Sequence, residues 1–83
     1  MKSHELLAEQ LQRHRAARAL MLRSDHLHRR GCRLSHYGGT CGALETQARA
    51  YALAARHYAE VRRLRDLAMR TVFPACESLA AAM

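Results

Sequence analysis

His26, His28, Cys32, His36 and Cys41 crowd one short stretch of the chain. Imidazole and thiolate side chains at such spacings are ligands for zinc or copper. On a helix, His28, Cys32 and His36 would share a face. Yet the stretch contains neither a CxxC pair nor an HxxxH element followed by cysteine. Histidines in a polar turn and a small buried cysteine are the commoner reading, so no metal and no cofactor is assigned from spacing. A cysteine–histidine nucleophilic pair is formally available, but it needs an orienting third group and an oxyanion site. No glycine-rich nucleophile elbow is present, and Asp25 beside His26 is only an adjacent pair. The expectation is a protein that is not an enzyme.

A second pattern is electrostatic. Arg49, Arg56, Arg63 and Arg70 are spaced seven apart, and an ideal helix drifts only about 20° per heptad, so they hold to one face. Such a row can run along phosphates, with affinity from backbone contacts and specificity from base-edge or stacking groups. Tyr37 is a candidate stacking group. Against this, Glu45–Arg49, Arg62–Asp66 and Asp66–Arg70 are i,i+4 pairs, each stabilising by roughly a few tenths of a kcal/mol. A solvated, locally neutralised face is the plainer reading. The chain has a formal charge of +7, and Lys2 is its only lysine. With abundant alanine, that arginine bias can reflect coding composition as much as a partner. No helix-turn-helix spacing or RNP-like aromatic pattern accompanies it.

These residues must be positioned by helices. Ala43–Val72 has no proline or glycine and is rich in Ala, Leu, Arg and Glu, all good helix formers. Leu44, Ala48, Tyr51, Ala55 and Tyr58 fall on one side, continued by Val61, Leu64, Ala68 and Val72, with Leu53 on a flank. That sector is wider than the roughly 100° stripe of a helix with one neighbour, which implies two packing partners. Arg62 and Arg65 interrupt it and must snorkel at an edge or meet an acid on a partner. An earlier helix is expected over about residues 4–30, capped by Ser3, with Leu6, Leu7, Leu11, Ala17, Leu20, Met21 and Leu27 on its apolar side. Ser24-Asp25 could interrupt it. Residues 31–42 contain all four glycines and read as a connection, with Thr40 or Gly42 capping the next helix. Pro74 ends that helix, and a short terminal one is expected over 75–82.

The fold class is therefore all-α: one domain over residues 1–83, a long antiparallel hairpin with a short C-terminal helix, dimerising into a bundle. A lone hairpin of this size can bury only one seam. The leading expectation is a small non-enzymatic protein-interaction module of adaptor, chaperone or inhibitor type, with a protein partner or a second copy on Leu44, Tyr51, Tyr58, Val61 and Leu64. The same residues could instead close the intramolecular core. The runner-up is a nucleic-acid-binding regulator using the Arg49/Arg56/Arg63/Arg70 row. A membrane partner is disfavoured, because the apolar faces lack tryptophan. Cys32, Cys41 and Cys76 are an odd number without a secretory signal before them. They are expected to be reduced thiols of a cytoplasmic protein, a Cys32–Cys41 disulfide being the alternative.

Overall fold

The computed structural model describes residues 2–73 as two antiparallel α-helices, α1 (Lys2–Thr40) and α2 (Leu44–Val72), joined by residues 41–43. This is the all-α hairpin that the periodicity implied, and α2 covers the expected Ala43–Val72 stretch except Ala43, its N-cap. The helix expected over 75–82 lies outside the described residues. No helix among the described residues is long and apolar enough to cross a membrane.

The first helix is the correction. It does not stop at Arg30 but runs for 39 residues through Gly31, Gly38 and Gly39, so most of the expected connection over 31–42 is helix. Glycine costs about 1 kcal/mol in a helix interior relative to alanine, and something must offset that. The offset is close approach. A Cβ on Gly31 would stand 2.8 Å from the Tyr58 ring, and one on Gly38 would stand 3.0 Å from the Tyr51 ring. Each missing methyl group is a seat for an aromatic ring of α2.

A heptad register organises the seam. Gly38 faces Tyr51, Gly31 faces Tyr58, and Ser24 accepts a 3.4 Å hydrogen bond from Arg65 Nε. Seven residues down one helix thus match seven up the other, the repeat that keeps two antiparallel helices in continuous contact. One more step sets Ala17, which is buried, opposite Val72. Small residues on α1 receive large ones on α2. Beside this row, Ala50, Ala54, Val61, Leu64 and Ala68 of α2 are buried.

Local bonds account for the ends and for the one suspected break. Ser24 Oγ donates to the Met21 carbonyl at 2.7 Å, so the serine is satisfied within the helix and does not interrupt it. Ser3 lies inside α1 and is not its cap. Thr40 Oγ1 donates to the carbonyls of Tyr37 (3.0 Å) and His36 (3.3 Å), closing α1. Neither Thr40 nor Gly42 caps α2; Ala43 occupies that position in an extended conformation, without a side-chain cap bond.

His57 is an anomaly in the seam. It holds the heptad position of Ala50 and Leu64, and its Nε2 is buried with no hydrogen-bond partner among the described residues. A buried unsatisfied polar atom costs about 1–3 kcal/mol. His57→Leu is therefore expected to stabilise the hairpin by about 1 kcal/mol, read as a raised urea midpoint at fixed protein concentration. A lower midpoint would show that the imidazole is satisfied in solution.

Candidate interaction surfaces

The arginine row lies on the outward side of α2, and most of it is locally paired. Arg49 bonds Glu45 at 2.9 Å and Arg70 bonds Asp66 at 3.0 Å. Arg63 makes two bonds to Glu60. The hydrogen bond from Arg63 lowers the Glu60 pKa below the usual carboxylate range, with the charges of Arg63 and Arg23 adding to it. The same bond raises the pKa of Arg63. Of the four, only Arg56 has no acidic partner among the described residues. Asp66 serves Arg70, and the Arg62–Asp66 pairing is not formed. Arg65, expected either to snorkel or to meet an acid on a partner, reaches across the seam to Asp25 of α1 at 3.3 Å.

The five residues singled out for an interface divide into two groups. Val61 and Leu64 are buried between α1 and α2, so they close the seam within the chain. Leu44, Tyr51 and Tyr58 share one heptad column along the edge of the seam. Tyr58 is half-buried against Gly31. Tyr51 rests one face of its ring on Gly38 yet stays 44% exposed, and Leu44 is 81% exposed.

Helical phase then gives the hairpin two unlike broad sides. The tyrosine side carries that column with Met69, and on α1 the column of Met21, His28 and Ser35. The contacts agree: the His28 and Tyr58 rings tilt together with centroids 5.6 Å apart, and Ser35 Oγ lies 3.4 Å from the Tyr58 hydroxyl. Met21, Tyr51 and Met69 are exposed apolar groups here. The other side carries Arg23, Arg30 and Tyr37 on α1 and Leu53, Glu60 and Leu67 on α2. An open groove on it is lined by Arg30, Arg33, Leu34, Tyr37 and Leu53. Tyr37, the candidate stacking group of the expected connection, stands on helix, with Arg30 one heptad behind it.

The histidine–cysteine stretch also divides. His28 Nε2 and Cys32 Sγ are 3.6 Å apart, whereas Cys41 Sγ turns to the Ala43 carbonyl at 3.8 Å. Cys32 and Cys41 are both free thiols. No group of three or more His, Cys, Asp or Glu side chains converges among the described residues. The seam contacts of Gly31, Gly38 and Ser24 were missed by sequence reading, although Ala17, Ser24, Gly31 and Gly38 repeat every seven residues. No protein-family model matches the chain, and no curated protein or solved structure matches it either.

Proposed function

We propose that the protein is a non-enzymatic interaction module that works by self-association, two copies pairing through their tyrosine sides into a four-helix assembly. One observation carries this reading. The hairpin measures 64 × 28 × 11 Å, a single layer of helices, and the buried apolar residues among those described are four alanines, Val61 and Leu64. A layer so thin leaves apolar side chains on both broad sides. About half of one side is enough for the roughly 800 Å² per partner that a standard interface buries. The two sides are not equivalent for this purpose. On the groove side Arg30 and Arg33 have no acidic partner among the described residues, which opposes its pairing with a copy of itself. The tyrosine side carries Arg62, one heptad before Met69, and Arg65, which is paired with Asp25. The tyrosine side offers Met21, Tyr51 and Met69, the residue types that anchor helix-to-helix contacts.

Light scattering on the purified chain tests the proposal. A dimer mass insensitive to salt is expected, and Met21→Glu with Met69→Glu should convert it to monomer while helical circular dichroism is kept. Leu67→Glu, on the opposite side, should leave the dimer intact. A wild-type monomer at all concentrations would overturn the reading. The groove of Arg30, Arg33 and Tyr37 favours a second reading, an anionic polymer held by guanidinium groups and one stacking ring. Copurified nucleic acid that leaves at high salt would put that reading first.

A further inference from the structure

We propose that His28 and Cys32 are half of a tetrahedral zinc-class cation site, which a second copy of this chain completes with the same two residues. The proposal rests on the self-association reading and goes beyond it by assigning the ligand. The pair is spaced i,i+4 on α1, so a regular helix brings both side chains to the same turn. Their Nε2–Sγ separation is 3.6 Å. Zinc–sulfur and zinc–imidazole bonds of about 2.3 and about 2.05 Å, at the tetrahedral angle, place the two ligand atoms about 3.6 Å apart. The pair already stands at the edge length of the coordination polyhedron. It is also exposed, so an ion and a second chain can reach it.

One chain stops at two ligands, since no third His, Cys, Asp or Glu converges on them among the described residues. A two-fold contact between tyrosine sides is self-complementary, so centring it on this turn of α1 sets His28 and Cys32 against the same pair of the other copy. The result is a Cys2His2 donor set, a closed structural zinc arrangement. Surrounding groups are suited to such ligands. The Tyr58 hydroxyl donates to Cys32 Sγ at 3.6 Å. Having one proton, it then accepts from the Ser35 hydroxyl 3.4 Å away. The hydroxyl fixes the position of the sulfur, and the His28 ring is restrained by its tilt against Tyr58. Binding takes the Nε2 lone pair of neutral His28 and the thiolate of Cys32, whose proton is released to solvent.

The test is titration of the full chain, under a reductant that does not chelate, with cobalt(II) and then zinc. Expected are a thiolate-to-cobalt charge-transfer band and intense tetrahedral d–d bands that saturate at one cobalt per two chains and vanish on adding zinc. Cys32→Ala and His28→Ala should each abolish the bands, while Cys41→Ser keeps them. Tyr58→Phe, which keeps the ring on Gly31 and removes only the hydroxyl, should weaken binding by about 10-fold or more. Bands retained in Cys32→Ala, saturation at one cobalt per chain without a change in mass, or no bands at all would each overturn the site. Light scattering in chelator separates the two readings: a metal-free dimer without cobalt bands sinks only the site, whereas a monomer with or without metal sinks both.

Discussion

Leu64→Ala is expected to destabilise the hairpin by about 3 kcal/mol and to leave much of the chain unfolded at room temperature. Leu64 is 2% exposed, and apart from Val61 every other buried apolar residue of the described chain is an alanine. Truncation to alanine removes the transfer energy of the lost carbons and adds a cavity cost, together about 2–5 kcal/mol in packed sites. A two-helix seam cannot close fully around such a gap, because each helix is held in register along its whole length. Chains of this size rarely have more than about 3–5 kcal/mol from a single core. Urea denaturation followed by helical circular dichroism reads the change directly. Leu44→Ala serves as the contrast: that side chain is 81% exposed and should shift stability by under about 0.5 kcal/mol. Both must be measured at one protein concentration, since self-association adds its own stabilisation. A loss of under about 1 kcal/mol at Leu64 would mean that the seam does not run through it.

How far the sequence discloses this architecture depends on which residues are asked. Ala43–Val72 is legible because thirty residues without a helix breaker leave no other regular choice. Its wide apolar sector is also real, and the structure divides it: Val61 and Leu64 face α1, while Leu44 and Tyr51 stay largely outside. The Gly31–Gly42 stretch is misleading for a definite reason. Glycine disfavours helix locally, and only the rings of Tyr51 and Tyr58, far along the chain, reverse that preference by occupying the space glycine leaves. Tertiary contact overrides propensity there. The same long-range pairing joins Arg65 to Asp25, which no local rule can match. The arginine row is a different case. The i,i+4 partners Glu45 and Asp66 were visible in advance, whereas Glu60 at i−3 from Arg63 completes a neutralisation that the heptad spacing alone concealed. The His28–Cys32 pair is legible as spacing, but its separation depends on α1 being continuous through Gly31.

Gly31→Leu tests that continuity and should cost about 2–3 kcal/mol. Two effects oppose each other at this position. Any side chain gains helix propensity over glycine, by up to about 1 kcal/mol. Against this, a Cβ would already lie 2.8 Å from Tyr58, closer than carbon atoms tolerate, and a leucine adds three carbons beyond it. The Tyr58 ring must then leave its seat, giving up its contact with Gly31 and the hydroxyl's bonds to Ser35 and Cys32. Gly31→Ala sets the two effects nearly equal and is expected to move stability by under about 1 kcal/mol. A double-mutant cycle with Tyr58→Ala isolates the contact: once the ring is gone, Gly31→Ala should become stabilising, because propensity remains and the clash does not. Were residues 31–42 a loose connection, as glycine content alone implies, Gly31→Leu would be nearly neutral and would show no coupling to Tyr58. A coupling of at least about 1 kcal/mol places Gly31 inside a helix and under an aromatic ring.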